Sequence, residues 1–431
     1  MINRLIIFSI LCSQFSVANA TNGYFPTGFG PQSKGLAGAG VAFNKTALGG
    51  VSNPALLVHV GHQLEVAVDT LNPPRGFNAK PHTPLGPYPI VTPDNYESEN
   101  NFFLSPGFAY NYPVAENATL GFSLTGAGMS SEYNSTIFDY FYPGADPFFI
   151  ATAPAGVEIM QFNFGLPFSL KLNDTHSIGI TPIFNLQSFE AKGGEPFRQV
   201  SLYPNHVTNN GRSWSTGFGV RVGWQGVISD SFTLGASYQP RSDMSKFDEY
   251  QGLFAEAGDF DIPATAQIGL AFKFYPDLTF VVDYQYIGYG DIKSLANPNN
   301  TPLVPGSNAS NYMGKTTGTG GGWEDADIIK LGLEWQYSDA LTYRVGYSKS
   351  NKIIPNSQLL INIVAPVVND EHFSLGATYR MDDAAQWSIA LTHAPKVTDI
   401  GYNPNTGGVT GQQGEIYMEQ TELSLSYTHS F

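Results

Sequence analysis

The sequence predicts an all-β protein: a transmembrane antiparallel β-barrel of about fourteen strands, with an N-terminal plug inside its lumen. Three observations carry that reading. Stretches of roughly ten residues alternate apolar with small or polar residues from Gly61 to the end of the chain. Their connections alternate between very short turns and long loops, as in outer-membrane barrels. The chain also opens with the pattern of a secretory leader and ends on an aromatic residue.

Composition narrows the classes further. Charged residues make up 13% of the 431, whereas Gly (46), Phe (30), Pro (29) and Tyr (23) are plentiful. So much Gly and Pro argues against a helical bundle, and the aromatic content argues against disorder. With 21 basic against 36 acidic residues, net −15, the chain lacks the cationic surplus of a general nucleic-acid binder.

At the N-terminus, Arg4 precedes the apolar run Leu5 to Leu11, and Ala18-Asn19-Ala20 follows. This is the order of a signal peptide spanning residues 1–20, with cleavage near Ala20. The apolar run is too short to cross a membrane as a helix. Cys12 lies in this segment, so the mature chain would hold no disulfide, thiolate metal site or Cys nucleophile.

Residues 21–60 do not read as strands. They carry Gly23, Gly28, Gly30, Gly35, Gly38, Gly40, Gly49 and Gly50 among Tyr24, Phe25, Phe29, Leu36 and Phe43. The spacing after Gly28 fits neither a dinucleotide fingerprint nor a phosphate-binding P-loop. A segment this short without disulfides seldom supports its own core, so it is expected to pack as a plug inside the barrel of residues 61–431.

The strands follow. Phe232 to Tyr238, Leu278 to Tyr286, Ile329 to Tyr337, Leu341 to Tyr347, Phe373 to Tyr379 and Trp387 to Leu391 each alternate with period two. Tight turns fall at 113–118, 173–174, 229–230, 275–277, 338–339 and 382–383; long loops lie near 71–100, 131–156, 191–212, 249–260, 293–324, 351–368 and 398–414. Six turns and seven loops imply fourteen strands, with both termini at the short-turn end. Leu423, Leu425, Tyr427, His429 and Phe431 alternate to the last residue, and a terminal aromatic is what barrel-assembly machinery would recognise.

Several of these stretches carry a resemblance. Gly35-Leu36-Ala37-Gly38-Ala39-Gly40, followed by Val51-Ser52-Asn53-Pro54-Ala55-Leu56, resembles the N-terminal hatch of the FadL/TodX family of outer-membrane transport proteins, with Asn53, Pro54 and Ala55 as the hatch motif. Ile262 to Leu270, Leu331 to Trp335 with Tyr343 to Tyr347, and His372 to Ala377 are similar to later stretches of that family, so the likeness spans the mature chain. The resemblance implies a monomeric barrel in the bacterial outer membrane, plugged by the hatch, that carries long-chain fatty acids or other hydrophobic compounds inward. Its partners would be that ligand, outer-membrane lipid and lipopolysaccharide, and the assembly machinery through Phe431. No cofactor or metal is implied.

The same resemblance implies a groove, an apolar pocket and a side opening in the wall, and each has candidates. Phe138, Tyr140, Phe141, Phe148 and Phe149 make the loop from Ser131 to Gly156 an apolar surface, though an interfacial girdle is the alternative. Tyr24, Phe25 and Phe29 are expected to fill the pocket. Gly126 and Gly128 sit in the third strand, which matches the kinked one of the family; making room for the hatch is the other reading. Glu324 and Asp325 stand where the family's fatty-acid carriers place basic residues, leaving Lys330 and Arg344 as the cations for a carboxylate. The choice between fatty acid and neutral hydrocarbon stays open. His372 and Ser374 lack a third catalytic group, and His59 with His62 lack a third metal ligand. The rival readings are a general porin and a surface adhesin.

Overall fold

The computed structural model describes residues 22–82, 89–140, 146–407 and 410–431. The leader with its expected cleavage site at Ala20, and Phe141, lie outside the described residues.

Fourteen strands form a closed antiparallel barrel. They are β1 (Gln63–Asn72), β2 (Phe103–Ala115), β3 (Ala118–Glu132), β4 (Gly156–Gly165, resuming as Phe168–Lys171), β5 (His176–Lys192), β6 (Ser213–Ser229) and β7 (Phe232–Gln239). Then come β8 (Thr265–Tyr275), β9 (Leu278–Ile287), β10 (Ala326–Gln336), β11 (Leu341–Ser350), β12 (Glu371–Arg380), β13 (Ala385–Tyr402) and β14 (Gln413–Ser430). The ring closes where β1 pairs with β14, from Gln63 opposite Ser430 to Asn72 opposite Thr421. Closure matters physically, because lipid offers no partner to an open strand edge.

Alternation sorts the two faces as the sequence implies. On β12 to β14, Leu375, Ile389, Leu391, Leu423 and Leu425 are exposed, while Ser374, Thr392, Ser424 and Ser426 are buried in the lumen. Among the described residues, no helix is long and apolar enough to cross a membrane. The strands rise well past the alternating segments. β13 and β14 stay paired to Tyr402 opposite Gln413, so both ends of the loop expected at 398–414 are ladder. Arg75–Ala79 likewise continues β1 upward beside β14, and Asn95–Glu97 continues β2. Backbone bonds sustain these extensions, and their apolar residues, such as Phe77, Ile416 and Met418, face inward to the buried cluster.

Residues 22–62 thread the lumen as a short helix at Gly30–Lys34 and two 3₁₀ segments, Gly49–Val51 and Pro54–His59. Close approach to the wall explains their glycines. Gly38 has φ +80°, and a Cβ there would lie 1.8 Å from the Thr27 carbonyl oxygen. From the wall side, a Cβ on Gly346 would stand 2.3 Å from the Ala37 nitrogen. Asn53 is fully buried: it donates to the carbonyls of Val41 (2.7 Å) and Trp224 (3.0 Å) and accepts from Ala55 N–H (3.0 Å). One side chain thus ties two parts of the hatch to β6.

Charge is distributed differently from what the loops suggest. The lumen holds buried Glu65, Asp69, Asp283, Lys330, Glu334, Arg344 and Glu422, so acids serve inside the barrel as well as in loops. Lys34 of the hatch pairs with Asp69 (2.7 Å) and Glu422. Asp283 accepts from Gly40 N–H (2.7 Å) and Val41 N–H (2.9 Å). Burial by itself would lower the Lys34 pKa, but the two carboxylates outweigh it and hold it above its ordinary value. Leu36, Ala39 and Ala42 also pack on Ala271 and Val281, and Ala47 and Leu48 on Ala67 and Ala109, so apolar burial and directional contacts together fix the hatch.

Candidate functional site

Three features line up through the barrel. The uppermost is an aromatic cluster beneath the long loops. Tyr24 and Phe25 are buried there, 4.9 Å apart between ring centres. Tyr24 also meets Phe260 and Tyr289, each at 6.0 Å, and Tyr289 meets Trp323 at 5.2 Å. Phe254 joins through Phe260 (5.0 Å) and Phe189 (4.6 Å). Phe138 belongs to the same buried cluster and packs edge-on against Phe197 at 4.9 Å. Phe148, by contrast, is exposed and lies under the Arg198 guanidinium at 4.5 Å, with Phe149 beside it at 5.2 Å. Tyr140 pairs through its backbone with Pro89. The loop aromatics are therefore divided between an inner cluster and an outer surface.

Below the cluster lies a narrow cavity with about 30 Å³ of internal space. Phe25, Phe29 and Val51 of the hatch line one side, and Ser123, Thr125 and Ala127 of β3 line the other. Gln161, Asn163, Thr181 and Arg221 complete it, which makes it half polar.

Beside that cavity the hydrogen-bonded ladder of the wall is interrupted. β2 and β3 pair from Ala115 opposite Ala118 up to Phe108 opposite Leu124, and there the ladder stops. On their other edges both strands continue: β2 pairs with β1 to Phe103, and β3 pairs with β4 to Glu132. Phe103 to Gly107 and Thr125 to Met129 consequently keep one ladder neighbour each. The strands rejoin above, where Glu99 N–H donates to the Glu132 carbonyl (2.8 Å) and Glu132 N–H to Ser98 Oγ (3.2 Å). The result is a slot, bordered on β3 by about seven residues or roughly 23 Å of strand. Gly126 and Gly128 lie on its edge, and Gly128 has φ +154°. Pro106 on the opposite edge has no N–H to offer a partner. β4, which breaks at Leu166-Pro167, leaves no comparable gap, because Gly121 N–H donates to the Pro167 carbonyl (2.8 Å) and Leu166 N–H to the Pro182 carbonyl (3.0 Å).

A plugged barrel with this topology has known counterparts. The family model for outer membrane transport proteins (OMPP1/FadL/TodX) matches residues 27–431. The chain belongs to that family. Solved structures agree on the fold. The toluene transporter TodX of Pseudomonas putida superposes with TM-score 0.66 at 16% identity, over 94% of this chain and 99% of that one. A FadL homologue from Pseudomonas aeruginosa gives 0.64 at 16%, over 97% and 99%. The toluene transporter TbuX of Ralstonia pickettii gives 0.62 at 14%, over 94% and 99%. No curated protein matches the chain in sequence. As an OMPP1/FadL/TodX protein the chain is a bacterial outer-membrane barrel of a transport family, with its short turns toward the periplasm.

Within this FadL/TodX frame the two expected carboxylate-binding cations are engaged elsewhere. Lys330 Nζ donates to the hatch carbonyls of Thr27 (2.9 Å) and Gly38 (3.3 Å). Arg344 pairs with Glu334 at 2.8 Å and donates to Thr378 (2.7 Å), facing a polar vestibule of about 240 Å³ near the periplasmic end. Of the two acids, Asp325 accepts from Tyr286 (2.8 Å) and Gly290 N–H (2.7 Å), while Glu324 is exposed. Arg221 is the cation that does line the cavity. It donates to the Val51 carbonyl and to Gln239 (2.7 Å), and no carboxylate among the described residues lies within ion-pair distance of it. Sequence reading missed it because alternation tells which face a residue takes, not how high in the lumen it sits. Phe247, Tyr250, Phe254 and Phe260 were also missed, although the aromatic-density criterion applied to 131–156 would have found them. Ser374 bonds Thr392 (2.9 Å), and His372 faces Ser348 (3.4 Å), so those two form no pair. His59 and His62 turn to separate partners, Ser177 and Tyr110.

Proposed function

We propose that the protein takes up hydrophobic small molecules passively, with residues 21–60 as a shifting hatch inside the barrel of residues 61–431. The ligand would enter among the loop aromatics, displace Tyr24, Phe25 and Phe29, and leave sideways into the membrane through the slot between β2 and β3. The observation that carries this is the coincidence of the wall slot with the cavity lined by Phe25, Phe29, Thr125 and Ala127. Solvation favours such a route. A hydrocarbon chain loses about 0.8 kcal/mol per methylene on moving from an apolar site into water, so a side exit into lipid avoids a barrier that an aqueous pore imposes.

Neutral hydrocarbons and long-chain fatty acids both fit this path. The solved toluene transporters support the former, and Arg221 at the cavity supports the latter. The reading involves no catalysis. Phe431 is 66% exposed and stacks on His62 at 4.3 Å, a position open to assembly machinery.

Bridging the slot tests the route. The described residues contain no cysteine, so Ser105→Cys with Ala127→Cys gives a defined pair on opposite edges. A reducible bis-thiosulfonate linker across them should abolish protein-dependent uptake of labelled toluene or oleate, and reductant should restore it. Continued uptake by the bridged barrel rules out the side exit. If neither compound's uptake depends on the protein while it passes ions freely in a planar bilayer, a porin is the better description.

A further inference from the structure

Two unpaired strand edges facing each other in a lipid environment should zip together, since every backbone group left without a partner there is costly. Something must keep Phe103 to Gly107 from meeting Thr125 to Met129. The glycines and Pro106 weaken the ladder locally, yet they do not hold its edges apart.

Arg75 occupies the upper end of the slot. It lies on the Arg75–Ala79 extension of β1, and its side chain crosses the irregular stretch before β2 to reach β3. Toward β3 it donates from Nε to Ser131 Oγ (3.1 Å) and from one terminal nitrogen to the Ser130 carbonyl. Toward β2 it donates to the Asn100 carbonyl (2.8 Å) and Asn101 Oδ1 (3.4 Å), and on its own strand to the Pro73 carbonyl (2.7 Å). The guanidinium also sits 5.4 Å over the Phe103 ring. It is 2% exposed, and no carboxylate among the described residues pairs with it. A buried cation is costly unless fully hydrogen-bonded, and here neutral acceptors on both sides of the slot supply the bonds. The planar, five-donor fork imposes a fixed separation on them that a flexible ammonium would not. Directly adjoining it, Leu71, Phe103, Met129, Pro366 and Met418 line a small apolar gap whose internal space, about 10 Å³, holds no more than one water.

We infer that Arg75 is the spacer of the lateral slot: it takes up the hydrogen bonds of both edges at the top and stops the β2–β3 ladder from zipping upward. Its importance for transport rests on the side-exit reading above; its effect on the slot does not. Spin labels placed through Leu104→Cys and Met129→Cys report the slot width, and a second pair, Ile389→Cys with Leu425→Cys, reports the intact β13–β14 ladder. In Arg75→Met the slot distance should shorten toward that of the paired strands while the control distance stays fixed. Arg75→Lys should fall between, and Ser131→Ala, a milder change, should shift the distance in the same direction. Uptake of toluene and oleate should fall several-fold in step with the narrowing. An unchanged or longer slot distance in Arg75→Met that retains the heat-modifiable mobility of a folded barrel overturns the inference. Should Arg75→Met fail to assemble, an unchanged distance in both Arg75→Lys and Ser131→Ala overturns it equally. A narrowed slot with undiminished uptake leaves the spacer in place and removes the side exit instead.

Discussion

Lys34 shows how much one hatch residue can carry. Its ammonium is buried between Asp69 on β1 and Glu422 on β14, the two strands that close the ring. Removing the cation leaves two carboxylates facing each other without a counter-ion, and breaking a buried pair in this way costs about 3–5 kcal/mol. Lys34→Met should therefore speed amide hydrogen exchange through Gly30 to Gly40 by the corresponding factor, while exchange in β8 and β9 stays as it was. Equal acceleration throughout would mean that the triad supports the barrel and not the hatch. Residues of this kind were hard to find from sequence. Lys34 follows a glycine-rich run that reads as featureless, and its partners lie 35 and 388 positions away. Asn53 was easier, because its Asn-Pro-Ala setting is a local pattern whose side-chain cap on Ala55 is also local.

Among the elements, the loop between β7 and β8 has a pH response of its own. Asp259 is pushed up to about 6, first by burial and then by Asp261 and Glu256, against the opposing effect of Lys246 and Arg241. A carboxyl raised on folding binds its proton more tightly in the folded loop than in the open one. Its contribution is complete below the ordinary value of 3.8 and is lost as pH rises through about 6. The loop that places Phe254 and Phe260 against Tyr24 should thus loosen between about pH 4 and pH 6. Exchange rates at Phe254 to Phe260, corrected for intrinsic pH dependence, should rise over that window; a fall would contradict the assignment. Strands were legible wherever lipid imposes a period of two, and tight turns such as Asp382-Asp383 marked their ends. The upper staves were not, because above the membrane the apolar residues of Arg75–Ala79 and β14, Phe77, Ile416 and Met418 among them, turn inward while backbone pairing carries the strands on.

For the whole molecule, the hatch is what separates this barrel from an open pore. Polar contacts reach it from β1, β6, β9, β10 and β14, and apolar clusters around Leu36 and Leu48 join it to the wall, so directional bonds and burial together close the lumen. Deleting residues 22–60 should raise single-channel conductance in planar bilayers well above that of the intact chain; equal conductance would show that the hatch does not close the lumen. The sequence by itself determined the all-β class, the fourteen strands, the N-terminal plug and the family, because period-two alternation, turn length and short motifs are local properties of the chain. Only the tertiary structure decided that Lys330 and Arg344 serve away from the cavity while Arg221 lines it, and that the β2–β3 ladder parts at Leu124 beneath Arg75. Those facts depend on strand register and on height within the barrel, and both are set by pairing between distant segments.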